Sequence, residues 1–159
     1  DDLFNFVGEE KTEKETQALY PLIRKSIMLF YTDMKKHSIL YRLDLPSPDP
    51  ILPVDARRIQ QMLLHLIRNG VEAMESGGLL TVRCTTEKHS IKITIEDSGN
   101  GITDSNIKRV SDPFYTTKTY GTGMGLTLVE KIIADHGGSF SLKHGESGGM
   151  AASIILPLS

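Results

Sequence analysis

The stretch Asp97-Ser98-Gly99-Asn100-Gly101, followed some twenty residues later by Gly121-Thr122-Gly123-Met124-Gly125-Leu126, decides how this chain is read. The first glycine cluster closes a run in which Ile91, Ile93 and Ile95 alternate with Lys92, Thr94 and Glu96, the period of a strand with its isoleucines inward. The second opens a helix, Leu126 to His136, in which Leu126, Val129 and Ile133 share a face and Gly137-Gly138 forms the stop. Between them lies Asp112-Pro113-Phe114-Tyr115-Thr116-Thr117-Lys118. A glycine turn after a strand and a second one at a helix N-terminus is a layout that grips a phosphorylated ligand through backbone N–H groups. Asp97 has the parity of the three isoleucines, so its carboxylate points to the buried face at the strand end. A carboxylate there is costly unless a donor meets it.

Upstream, Asp55 is a good N-cap for a helix running through Met74. Ile59, Met62, Leu63, Leu66, Ile67, Val71 and Met74 form its apolar face, and Gln61, His65, Asn69 and Glu72 form a polar stripe. Ser76-Gly77-Gly78 reads as a turn, and Leu80, Val82 and Cys84 alternate in the strand after it. Near the start, Leu19, Ile23, Ile27 and Phe30 predict a helix over Glu13–Lys36, with Pro21 marking where the helix proper begins. Ile39–Leu45 alternates as a half-buried strand, prolines 46, 48, 50 and 53 stiffen a loop, and Ile51-Leu52 reads as a short edge strand. Ser139–Lys143 and Ala151–Leu156 form a closing hairpin around Gly145–Gly149. Helix and strand signals interleave without a regular βαβ rhythm, which predicts a mixed sheet covered by helices.

The bulk numbers exclude several classes. The chain has 159 residues, 39% of them hydrophobic, enough for one core. A net charge of −2 supplies no field to recruit nucleic acid or an anionic membrane. Cys84 has no partner cysteine, which fits a reducing compartment or a protein indifferent to redox state. No apolar run reaches the roughly 20 residues of a membrane span. The first residue is Asp1, and the apolar scrap Leu3, Phe4, Phe6, Val7 reads as the end of an upstream helix, so the chain is expected to be a piece of something longer.

The glycines do not match the familiar phosphate loops. Gly121-x-Gly123-x-Gly125 lacks the spacing of the dinucleotide fingerprint, and no Lys-Ser/Thr follows it as in a Walker A loop. Asp97-x-Gly99-x-Gly101 lacks acidic residues at the third and fifth positions of a calcium loop, and Lys108 stands at the twelfth.

Four segments together resemble the GHKL superfamily, and within it the catalytic ATP-binding domain of bacterial sensor histidine kinases. His65-Leu66-Ile67-Arg68-Asn69-Gly70-Val71-Glu72-Ala73-Met74 looks like the N box, Asp97–Gly101 the G1 box, Asp112–Lys118 the F box and Gly121–Leu126 the G2 box. Gly149 to Pro157 resembles the last strand, so the likeness covers residues 55–157. The Phe-Tyr-Thr-Thr-Lys segment is most similar to the nitrogen-regulation type. The resemblance implies the Bergerat ATP-binding fold, an α/β two-layer sandwich whose mixed, mostly antiparallel sheet is covered on one face by helices. It divides the chain into residues 1–13, a remnant of a dimerisation helix and linker, and residues 14–159, the ATP-binding domain.

The resemblance also assigns roles. Asn69 would bind Mg²⁺ through its amide oxygen, consistent with that ion's preference for hard oxygen ligands. Asp97 would accept a hydrogen bond from the adenine amino group, with Ser153 assisting. Gly99 and Gly101 would let the backbone approach the nucleotide. Thr117, Lys118, Gly121, Thr122, Gly123, Gly125 and Leu126 would form the lid and helix end around the phosphates. His65 stands where hydrolysing members of the superfamily carry a glutamate, which favours transfer over hydrolysis, although an imidazole can act as a base. Ala151-Ala152 replaces bulkier residues. His37, His89, His136 and His144 read as loop or surface residues, none in the context of a phosphoacceptor. The acceptor would then sit on a separate dimerisation domain of the same kinase, and a response regulator receiver domain would be the next partner. The resemblance implies a cytoplasmic location, with a membrane-anchored sensor as one setting for it, no nucleic acid partner and no direct membrane contact from this stretch. A GHKL ATPase that hydrolyses ATP and a degenerate nucleotide-binding module are the alternatives.

Overall fold

The computed structural model describes residues 11–99, 123–146 and 148–159, with the side chains of residues 123–125 excepted. Its elements are β1 (Glu15–Ala18), α1 (Tyr20–Met28), α2 (Tyr31–Lys36), β2 (Ile39–Asp44), β3 (Ile51–Val54), α3 (Ala56–Glu72), β4 (Gly78–Thr86), β5 (Ser90–Asp97), α4 (Gly123–Asp135), β6 (Ser139–His144) and β7 (Met150–Pro157). The main sheet has the order β2-β4-β5-β7-β6, and β1 pairs with β3 in a small antiparallel ribbon. β2 runs parallel to β4, while the other pairs in the main sheet are antiparallel.

The period-2 pattern decides which face is covered. Val82 pairs with Ile95 and Cys84 with Ile93, and these in turn face Ala152 and Ile154. These side chains join Ile59, Met62, Leu63, Leu66 and Ile67 of α3 and Val129, Ile132 and Ile133 of α4 in one core. Each fully buried Ile or Leu there contributes about 1.5–3 kcal/mol over exposure. α3 packs against both α1 and α4. The result is the two-layer sandwich expected from the sequence, with a mixed, mostly antiparallel sheet covered on one face by helices.

Local chemistry sets the boundaries. Asp55 caps α3, its side chain accepting from Arg58 N at 3.4 Å. Gly137, at φ +73°, ends α4 with its own N–H bonded to Ala134 O at 2.9 Å and that of Gly138 to Ile133 O at 2.9 Å, the Schellman pattern.

Three sequence expectations are corrected. The helix predicted over Glu13–Lys36 is a strand, β1, followed by two helices. Pro21 does fall in the first turn of α1, and residues before it pair with β3, because a proline tolerates a helix start but not its interior. Thr94 and Glu96, read as outward, are buried on the helix-free face: Arg83 Nη2 bonds the Glu96 carboxylate at 2.8 Å and Glu146 N reaches it at 2.9 Å. His136, read as loop or surface, is only 2% exposed.

Candidate nucleotide-binding site

The site is built where the C-terminal half of α3 crosses the end of β5. Gly70 makes the close approach possible: a Cβ on it would stand 2.8 Å from Leu80 Cδ1 and 3.7 Å from Asp97 Cβ. A helix interior ordinarily disfavours glycine, so its presence here reflects the space available. That approach brings Asn69, the preceding residue, to the end of β5 that carries Asp97. Asn69 is 8% exposed and Asp97 5%.

Asp97 is held by backbone donors. Its Oδ1 accepts from Gly99 N at 2.9 Å and from Met150 N at 3.5 Å. Burial pushes its carboxyl above the usual range, the two backbone N–H groups pull it back, and the neighbouring Glu96 charge adds to the rise. Among the described residues, Oδ2 accepts from no other residue, so it is left for a donor from outside. Gly149 crosses so close that a Cβ there would collide with the Asp97 carbonyl and carboxylate, and one on Gly99 would collide with the Ala73 carbonyl. Ser98 ties the same loop to β4, its Oγ accepting from Leu79 N at 2.9 Å.

The other residues of the stripe differ in setting. His65 is half-buried, one turn before Asn69 on the same face. Burial, then the charge of Arg68, holds its imidazole below the ordinary value, so it is neutral at pH 7. Arg68 and Glu72 are exposed. Leu126 places its side chain in the core and anchors the first turn of α4, which begins at Gly123 and includes Gly125. Gly101, Thr117, Lys118, Gly121 and Thr122 lie outside the described residues, as does the Asp112–Lys118 segment.

Ser153 does not join this site. It pairs with Thr94, whose parity is opposite to that of Asp97, and its Oγ lies 3.5 Å from Thr94 Oγ1 on the far side of the sheet. The residues of β7 on the Asp97 side are Met150 and Ala152, the latter opposite Ile95. Sequence reasoning overlooked Gly70, Gly149 and Ser98 as shapers of the pocket. A glycine inside an otherwise strong helix pattern was the available signal for the first.

Asn69 suits a hard cation. Its amide has no hydrogen-bond partner among the described residues although it is nearly buried, and a buried amide oxygen seeks a donor or a metal. A buried carboxylate acceptor and, on the adjoining helix turn, a neutral amide oxygen are groups that can meet a ligand's amino donor and a hard cation.

Residues 54–159 match the family described as histidine kinase-, DNA gyrase B-, and HSP90-like ATPase. The chain belongs to that family. Among its relatives, sensor protein TdiS of Thauera aromatica is 35% identical over 161 aligned positions, covering 97% of this chain and 29% of TdiS. The chain therefore spans less than a third of that curated relative. The nucleotide-free catalytic domain of histidine kinase ThkA superposes with a TM-score of 0.84 at 29% identity, covering 91% of this chain and 97% of that one. A structure of ThkA in complex with response regulator protein TrrA gives a TM-score of 0.86 at 24% identity, covering 99% of this chain and 46% of that one, a likeness of fold. No helix among the described residues is long and apolar enough to cross a membrane.

Proposed function

We propose that the chain is the ATP-binding catalytic domain, residues 14–159, of a cytoplasmic sensor histidine kinase portion. In this reading it moves the γ-phosphoryl group of ATP to a histidine on a separate dimerisation domain of the same kinase, and a response regulator receiver domain then takes the group. The observation that carries the reading is the Asp97 carboxylate, buried at the strand end against Gly70, the residue after Asn69, with no other described residue donating to its Oδ2.

Asp97 Oδ2 would accept from the adenine amino group, and Gly149 and Gly99 would leave room for the ring. Asn69 would hold Mg²⁺ through its amide oxygen. When bound, that ion neutralises charge on the phosphate oxygens. Lys118, Thr117 and the glycines of 121–125 would close over the phosphates. The protein's contribution is positioning and charge, and the acceptor imidazole nitrogen forms the new N–P bond as ADP leaves with the electrons of the broken P–O bond.

The second reading is a hydrolysing ATPase. The neutral, half-buried His65, one turn before Asn69, favours it because it is poised to accept a proton from water.

Titration with Mg·ATP, following binding and phosphate release together, tests both. Asp97→Asn replaces an acceptor with an amide that can turn its donor toward the adenine amino group. Losing a hydrogen bond to a charged group costs about 1.5–3 kcal/mol, so affinity should fall about 10- to 150-fold. Binding weakened to that extent by this change, with negligible phosphate release, fits the kinase domain. Steady turnover lost in His65→Ala fits the ATPase, and absence of binding in the unchanged protein refutes both.

A further inference from the structure

At the opposite end of α3 and α4 from the nucleotide, three separate segments of chain meet around Asp55 and His136. The Asp55 N–H donates to His136 Nε2 at 3.0 Å, and His136 Nδ1 lies 2.8 Å from Ile132 O. A carbonyl can only accept, so Nδ1 carries the proton, Nε2 is the acceptor, and the ring is a neutral, single tautomer. Asp55 Oδ2 in turn accepts from Glu13 N at 2.9 Å, just before β1. Arg58 Nη2 of α3 adds a contact to Asp135 Oδ2 of α4 at 3.9 Å, and Lys131 Nζ reaches the same oxygen at 3.2 Å.

A buried histidine that satisfies only its own helix would need no partner on another. Here the ring takes up a donor at the start of α3, a position where helix N–H groups lack partners of their own. We propose that His136 is a positioning residue for the nucleotide site: its ring fastens the end of α4 to the start of α3 and, through Asp55, to the backbone preceding β1, and so fixes how the two helices bordering the nucleotide stand relative to each other. The proposal rests on the nucleotide-binding reading above. Asn69 lies about 21 Å along α3 from Asp55, and Leu126 about 15 Å along α4 from His136, at the helical rise of about 1.5 Å per residue. Both helices are rigid elements packed on one sheet, so a change at their shared end displaces the other ends.

Protonation of Nε2 would place two donors face to face and undo the latch. The charged groups acting on the ring are Lys14 ahead of β1 and Asp55 and Arg58 on α3, and Arg58 is in turn tied to Asp135, which also meets Lys131, at the end of α4. Affinity for nucleotide should therefore fall on the acid side in a way that depends on His136.

The test measures Mg·ATP affinity from pH 5 to 8 and backbone amide exchange in the unchanged chain, His136→Leu and His136→Gln. Leucine removes both ring nitrogens, whereas glutamine keeps one acceptor and one donor without titrating. In His136→Leu the Glu13 and Asp55 amides should exchange faster, exchange at Leu126–Val129 should rise with them, and affinity at pH 7.5 should drop about three- to tenfold. His136→Gln should recover most of that affinity and lose the acid limb seen in the unchanged chain. A folded His136→Leu with unchanged exchange at Leu126–Val129 and affinity within twofold overturns the proposal. If leucine prevents folding, an identical acid limb in the unchanged and glutamine proteins overturns it instead. If even the unchanged chain fails to bind Mg·ATP, the functional reading falls, while exchange at Leu126–Val129 still decides the latch.

Discussion

Gly70→Ala sets two effects of known size against each other. In an open helix interior, replacing glycine by alanine gains about 0.5–1 kcal/mol from backbone entropy. At this position the new methyl would sit 2.8 Å from Leu80 Cδ1, well inside an ordinary carbon–carbon contact of about 3.5–4.0 Å. Leu80 is fully buried on β4 and pairs with Asp97, so it has no solvent to turn into. The helix must lift by most of the overlap, and overpacking of this kind costs about 1–3 kcal/mol. The second effect wins, leaving a net loss of about 0.5–2 kcal/mol, or about 1–8 °C in Tm for a chain of this size. Lifting α3 also shifts Asn69 relative to Asp97, so Mg·ATP affinity should fall together with stability. Urea denaturation and nucleotide titration of the same preparation read both quantities. A variant stabilised by the full helix-propensity gain, with unaltered affinity, would refute the close-packing argument.

The remaining predictions address other parts of the molecule. Gly137→Ala should destabilise by about 1 kcal/mol, measured by thermal melting, because φ +73° is a left-handed conformation that a Cβ opposes. Arg83→Ala should cost about 1–2 kcal/mol in urea denaturation, since it removes a charge-assisted bond from the buried Glu96 carboxylate, discounted for the arginine's partial exposure. Burial pushes the Cys84 thiol up to about 12, so a thiol reagent at pH 8 should label it only as fast as the fold opens. His136 is held below its ordinary value, chiefly by burial. The unfolded chain thus binds its proton more readily, and stability should be fully present above pH about 6.5 and decline as pH falls through that value, an acid loss that His136→Gln should diminish.

The parts of this molecule legible in the sequence are those written in local periods. The alternation of Ile91, Ile93 and Ile95 gave β5 its inner face and placed Asp97 on it, and the Asp55 cap with its apolar stripe defined α3. Pairing register is not a local property. Ser153 stands in a strand whose two faces read alike in small and apolar residues, Ala151, Ala152 and Ile154, so nothing in the run itself says which face meets Asp97. Only the match of Thr94 to Ser153 across the ladder settles it, and it sends the hydroxyl to the far side. His136 escaped notice for a related reason. A histidine just before a glycine pair looks like the solvated end of a helix, and its burial depends on the start of α3, 81 residues earlier in the chain. Gly70 lies between these cases: its cost within a helix is visible locally, but the neighbour that makes it necessary, Leu80, is supplied by the sheet. Where a residue's partner is within one turn or one strand step, the chain announces its role; where the partner is brought by topology, the same residue reads as ordinary until the fold is known.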